Sequence, residues 1–297
     1  MTPPLRDRMT GHLLVFALLV VATPVRADND NGATTDASKE GGTLVDQAHA
    51  ADIRNLWENE PILGAGLSLY KPNYLLPVTW ADEAETGADA EAQFQLSLKQ
   101  RVGNSHVFLA YTQTSFWRLY DSDDSRPFRE TNFKPEIFYR WRAEKNPLGP
   151  IDLDIGLEHQ SNGESQPNSR SWHRAYLRPI YRTRDWQVTL QLWARVFAPD
   201  DPSTVEDPDG DDNPDMVDFM GNHELEIDWR FAEGRQLSLM NRYNFDEGNG
   251  ALRLRYSEPT NAEGFHWYVQ LFHGYGESLI DYNREISRIG IGFAISR

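Results

Sequence analysis

The chain of 297 residues has no cysteine, which excludes disulfide frameworks, thiolate metal sites and cysteine nucleophiles while remaining compatible with an oxidising compartment. Basic side chains are scarce: 29 Lys and Arg stand against 45 Asp and Glu, a formal charge of −16. Such a surface has no electrostatic footprint for nucleic acid, and that partner class is set aside. The apolar run Leu13 to Ala22 is too short to cross a bilayer as a helix, and the rest of the chain is too polar to supply one. No glycine-rich phosphate loop, Gly-x-Ser-x-Gly elbow or His-Glu-x-x-His helix occurs, so nucleotide cofactors and zinc catalysis have no support. None of these absences counts against a transmembrane barrel, whose strands show lipid only alternate residues.

What is present starts with an export signal over residues 1–27. Arg6, Arg8 and His12 precede the apolar run, and Val25-Arg26-Ala27 offers small residues at the usual cleavage spacing. Its removal would leave a formal charge of −18. Residues 28–60 carry little apolar periodicity beyond Ile53 to Trp57 and read as a mobile, periplasm-facing extension.

From about residue 61 to 297 the pattern has period two. Phe94, Leu96 and Leu98 alternate with Gln93, Gln95 and Ser97, and Leu225, Ile227, Trp229 and Phe231 alternate with Glu224, Glu226, Asp228 and Arg230. These are strands with one apolar and one polar face. A soluble sandwich would alternate too, so connection lengths carry the distinction. Twelve candidate strands lie between residues 63 and 296, the first at about 63–72 and the fourth at about 135–143. Short connections alternate with longer ones at 73–90, 118–134, 162–171, 198–220 and 274–285. The expected fold is all-β: a twelve-stranded antiparallel outer-membrane barrel with both ends in the periplasm. By parity Arg174 and Arg178 would face the same way as Glu224, Glu226 and Asp228, into a lumen packed with paired charges rather than an open pore. The acidic loop 198–220 lacks the pattern of an EF-hand and reads as solvated.

Chemistry would show as an interruption of the lipid-facing stripe. Ile151, Leu153, Ile155 and Leu157 continue by twos into His159 and Ser161, an imidazole near a hydroxyl, as a general base needs to activate a weak nucleophile. A strand end leaving the membrane would accept the same pair without chemistry. On the following strand His173 has the same parity and falls beside them, where a third group would orient the base. A nucleophile facing the membrane has an evident substrate in a lipid ester. Gln113 also lies on a lipid-facing parity, where an unpaired amide is costly.

The run His159-Gln160-Ser161-Asn162-Gly163, followed by Ser169-Arg170-Ser171-Trp172-His173-Arg174, resembles the signature of the outer membrane phospholipase A family. Pro127 to Asn132, Asp211 to Asp215 and Gly274 to Asn283 also resemble stretches of that family, in the same order. The resemblance implies a twelve-stranded barrel, calcium dependence, activity as a homodimer, and hydrolysis of phospholipid and lysophospholipid acyl esters at the outer leaflet. Position by position, it implies Ser161 as nucleophile, His159 as base and Gly163 as the donor of an oxyanion-binding N–H. Ser125, Ser169 and the Glu164 backbone carbonyl match calcium contacts, and Gln113 matches a dimer-interface residue. One position departs: the family usually has Asn as third member, and this chain has His173. A neutral imidazole can still accept a hydrogen bond from His159, whereas a protonated one repels the imidazolium formed in acylation. The rival readings are a catalytically silent barrel serving as a pore or structural element, and a membrane protease or lipopolysaccharide deacylase with a different site.

Overall fold

The computed structural model describes Trp57 and residues 66–82, 90–122, 125, 127–142, 151–205, 210–231 and 234–295. Its strands are β1 (Leu67–Leu69), β2 (Tyr74–Ala81), β3 (Ala90–Arg101), β4 (Val107–Trp117), β5 (Phe128–Trp141), β6 (Ile151–Ser161) and β7 (Ser171–Arg182). After them come β8 (Trp186–Val196), the short helix α1 (Met216–Met220), β9 (His223–Phe231), β10 (Arg235–Tyr243), β11 (Gly250–Pro259), β12 (Phe265–Gly274) and β13 (Ile286–Ile295). Each strand from β2 to β13 pairs antiparallel with the next, and β13 pairs back onto β2, which closes a twelve-stranded ring. No strand edge is left open within that ring.

Two boundaries differ from expectation. The first strand is interrupted: β1 and β2 lie end to end along β3, and β2 runs to Ala81 through a stretch expected to be loop. Pro77 within it has no N–H for the ladder, and the register shifts between Leu76 and Thr79. The fourth full strand, β5, starts at Phe128 rather than near 135. Its first half points Glu130 and Asn132 inward, so it shows no apolar alternation to read.

The period-two reading of the faces holds. On β6, Asp152, Asp154 and Glu158 are buried while Ile155 and Leu157 are 44% and 46% exposed. The lumen is filled with ion pairs: Arg140 grips Asp154 through two bonds of 2.6 and 2.7 Å, and Arg178 meets Glu136 at 2.9 Å. Arg174 pairs with Glu158 on the neighbouring strand and faces the same lumen as Glu224, Glu226 and Asp228. A cavity of about 210 Å³ remains, lined by Lys71, Lys99, Lys134, Glu224 and Arg242 among others. Side chains fill a barrel of this strand number, and this lumen is charged and crowded rather than open.

The export signal 1–27 and, Trp57 apart, the extension 28–60 lie outside the described residues. Trp57 is buried. Its indole N–H donates to the Thr183 carbonyl at 2.6 Å, and the Arg230 guanidinium stacks on its ring at 4.0 Å. Thr183 belongs to the tight β7–β8 turn, so Trp57 closes the short-turn end of the barrel.

Candidate active site

Register brings His159 of β6 directly opposite His173 of β7, with Ser161 opposite Ser171 one step nearer the long loops. All four side chains are half-buried on the outward parity. The two imidazoles lie 4.5 Å apart between ring centroids and tilt by 39°, a partly stacked contact rather than an in-plane hydrogen bond. His159 Nδ1 is buried without a hydrogen-bond partner among the described residues. Phe197, at the end of β8, sets its ring edge-on against His173 at 6.0 Å. Ser161 and His159 are two residues apart on one face, and no hydrogen bond joins them among the described residues. Such bonds commonly tighten only when substrate is bound.

The β6–β7 loop begins with Asn162, which is buried and ties it together. Its side-chain oxygen accepts from Glu164 N–H at 3.3 Å and Arg170 N–H at 3.0 Å, and its amide donates to the Asn168 carbonyl at 2.8 Å. Gly163 follows in the left-handed region at φ +71°, where a Cβ would lie 3.2 Å from the Phe133 ring. The left-handed conformation is what favours glycine there. Its exposed N–H serves no partner among the described residues, so it can donate to an oxygen bound beside Ser161.

Sequence reasoning missed the cage that holds this loop. Glu130 accepts from the Asn132 amide at 2.5 Å and from Ile280 N–H at 3.1 Å, and Asn132 accepts from Leu279 N–H at 3.0 Å. The β5 start and the β12–β13 loop are thereby joined, and Asn162 reaches Glu130 at 3.5 Å. The Asp211 to Asp215 stretch closes the other side: Asn213, fully buried, accepts from Ser171 N–H at 2.9 Å. Asp215 takes a hydrogen bond from Tyr282, whose hydroxyl burial and that carboxylate push above its usual range. These acidic residues are therefore packed, which corrects the solvated reading of that part of the loop. The signal was in the sequence, because these three stretches carried the family likeness.

Asp212 is the centre of an oxygen cluster. Its carboxylate accepts from Ser169 at 2.7 Å, Ser171 at 3.0 Å, Gln166 at 2.8 Å and Ser203 at 2.9 Å. One carboxylate among the hydroxyl oxygens of Ser169, Ser171 and Ser203 is a set of hard oxygen donors of the kind calcium takes. Ser125 is not brought into this cluster: it is exposed in the β4–β5 loop at φ +60°.

Gln113 faces outward on β4, yet its amide is not unpaired. Its oxygen accepts from Tyr111 at 3.0 Å and its nitrogen donates to Ser115 at 3.1 Å, leaving one amide hydrogen free for another molecule. A second His–Ser contact occurs across the ring, on β12 and β13: His273 Nδ1 lies 2.9 Å from Ser287 Oγ, with Glu285 3.6 Å from Nε2. There the Ser287 N–H is already committed to Asp82, at 2.6 Å, and no left-handed glycine follows the serine. That pair lacks a donor for an oxyanion.

A family model described as Phospholipase A1 matches residues 58–295. The phospholipase A1 of Klebsiella pneumoniae is 35% identical over 246 residues, 76% of this chain and 81% of that protein. The structure of outer membrane phospholipase A from Escherichia coli superposes with a TM-score of 0.67 at 33% identity, covering 77% of this chain and 98% of that one. The outer membrane phospholipase of Salmonella typhi, solved as a dimer with bound calcium, superposes with a TM-score of 0.70 at 33% identity, covering 84% and 98%.

Proposed function

Since the chain belongs to the phospholipase A1 family and folds as its outer-membrane barrel, we propose that it is a calcium-dependent phospholipase working through Ser161 and His159 on its lipid-facing wall. Phospholipids and lysophospholipids are its substrates, cleaved at their acyl esters. One observation carries the residue assignment: Ser161 and His159 share the outward stripe directly beside Gly163, whose N–H has no partner among the described residues. Ser161 Oγ attacks the ester carbonyl carbon while His159 takes the hydroxyl proton. The oxygen that becomes negative is met by the Gly163 N–H, a donor already in place before charge develops. His159 then returns the proton to the departing glyceryl oxygen, and water releases the acyl group by the same steps. His173 stacks against the base and limits its rotation.

Ser169, the Glu164 carbonyl and Asp212 would hold calcium, with Ser125 as a further ligand that must come from outside the cluster of this chain. When bound, the cation would polarise the carbonyl and favour the oxyanion. The dimer of the Salmonella typhi relative supports a homodimer here, with Gln113 offering its free amide hydrogen across the interface. The site would then face the outer leaflet and the cell exterior, since the loops that build it lie at the long-loop end.

Fatty-acid release from phospholipid micelles tests this reading. Ser161→Ala should abolish it in a barrel that still shows heat-modifiable gel mobility, whereas Ser287→Ala should leave it intact. Undiminished hydrolysis by folded Ser161→Ala would refute the assignment.

A further inference from the structure

Pro77 interrupts the ladder of β2. Proline has no N–H to give, and Pro77 has a register partner on neither side: the pairing with β3 passes from Leu76 to Thr79, and the pairing with β13 from Leu75 to Val78. Two residues, Pro77 and Val78, therefore stand opposite the single Ala92 of β3, the two-against-one count of a bulge. Ala92 in turn pairs with Trp117 of β4. Just beyond Trp117 the chain turns sharply: Asp121 N–H donates to the Arg118 carbonyl at 3.1 Å, with Tyr120 inside the turn. The Tyr120 hydroxyl reaches back and donates to the Pro77 carbonyl at 2.8 Å. From β4 to β2 is two strand spacings, about 10 Å, and the path crosses β3 at Ala92. That residue has outward parity between the inward Glu91 and Gln93, yet it is only 1% exposed.

We propose that Tyr120 is a positioning residue for calcium: by strapping the β4–β5 loop to the Pro77 bulge, it fixes where Ser125 is presented. The proposal rests on the reading of Ser125 as a calcium ligand. Tyr120 and Ser125 share one short loop, whose base is closed by the Arg118 N–H on the Pro127 carbonyl at 3.0 Å. β4 ends at Trp117 and β5 begins at Phe128, so neither strand holds Ser125. It is exposed at φ +60°, a conformation that a residue with a side chain keeps only where its surroundings hold it. The Tyr120 bond supplies such a hold, from a strand that is not a neighbour of β4. A ligand on an unheld loop must be ordered each time the cation binds, at a cost in affinity, whereas a strapped loop is ordered beforehand. The direction of the strap matters too. It draws the loop toward β2, while the Asp212 cluster lies by β6 and β7 on the other side of β4. Tyr120 thereby also keeps Ser125 from closing on the cluster of its own chain.

Two measurements on Tyr120→Phe, which keeps the ring and removes one hydroxyl, decide it. The first is made without calcium. Because the chain has no cysteine, a nitroxide attached at Ser122→Cys, an exposed position, reports this loop alone. Adding Tyr120→Phe should narrow the nitroxide spectrum as the loop loosens, and an unchanged spectrum would overturn the strap. The second is the calcium concentration giving half-maximal release of fatty acid from phospholipid micelles. Tyr120→Phe should raise it about three- to tenfold, the weight of one hydrogen bond, with the rate at saturating calcium moving by less. In a Ser125→Ala background the same change should have no further effect, because the two residues act as one unit. A loosened loop with a native calcium titration, or shifts that simply add, would overturn positioning through Ser125. A native calcium titration in Ser125→Ala alone would refute that serine as a ligand and the proposal with it, whereas an unchanged nitroxide spectrum refutes the strap and leaves the ligand reading standing.

Discussion

Gly163→Ala separates the oxyanion reading from a merely structural one. Alanine at φ +71° pays about 1–2 kcal/mol for the left-handed conformation. Its Cβ also meets the Phe133 ring at 3.2 Å, a contact that a few tenths of an ångström relieve. The backbone can escape the larger cost by turning the peptide. The bond that resists is Glu164 N–H to Asn162 at 3.3 Å, the longest of the hydrogen bonds Asn162 accepts within the loop. We expect the turn to give way and the residue 163 N–H to swing off the site. Loss of one such donor costs about 10²–10³ in kcat, so a fall of about a hundredfold is expected, with KM changed far less because the donor acts on the transition state. Phe133→Leu added to Gly163→Ala should not restore the rate, since it relieves the contact and leaves the backbone cost. The assay is steady-state release of fatty acid from one micellar lysophospholipid at saturating calcium, with gel mobility reporting the fold. A folded Gly163→Ala with native kcat would show that this N–H does not bind the oxyanion.

Three further outcomes are expected. His173→Asn should retain activity within a few-fold and His173→Ala should lose about tenfold or more; full activity in His173→Ala would reduce the site to a dyad. Asp212→Asn should raise the calcium needed for half-maximal rate by about tenfold or more, and an unshifted calcium titration would remove Asp212 from the metal site. Gln113→Ala should reduce calcium-promoted cross-linked dimer, and a yield identical to native would place the interface elsewhere.

The barrel was legible because period-two alternation and uneven loops are properties of local sequence, and lipid enforces both. Where alternation failed, so did the reading. Phe128 to Lys134 carries Arg129, Glu130, Thr131 and Asn132 in succession, and a strand whose inward face is polar and whose outward face is barely apolar shows no stripe. The His159 and His173 pairing was legible by counting, because a turn of known length fixes register across one hairpin. Partners across other strands were not. Arg178 faces the lumen with Glu224, Glu226 and Asp228 as its parity requires, but parity does not name its partner, which is Glu136 of β5. The cage around Asn162 was hidden for a similar reason: Glu130 and Ile280 are 150 residues apart and meet only once the ring closes.

Alternation also explains why chemistry on the outer wall can be precise. His159 and Ser161 point to lipid, so the residues between and beside them, Glu158 and Gln160, must point into the lumen. Glu158 is fully buried and held by Arg174 and by Lys134, the latter at 3.2 Å. Gln160 accepts from the Trp172 indole at 3.1 Å and from Arg174 at 3.1 Å. Removing either partner of such a pair would strand a buried charge, at a cost of about 3–5 kcal/mol, so the backbone carrying the site is fixed from within. An acyl chain entering that lumen would lie among lysines, arginines and carboxylates and would forfeit about 25 cal/mol for each Å² it withdrew from hydrocarbon. On the outer wall it forfeits nothing. The crowded, paired interior therefore serves as the rigid backing of the site, and the substrate is met where it already resides.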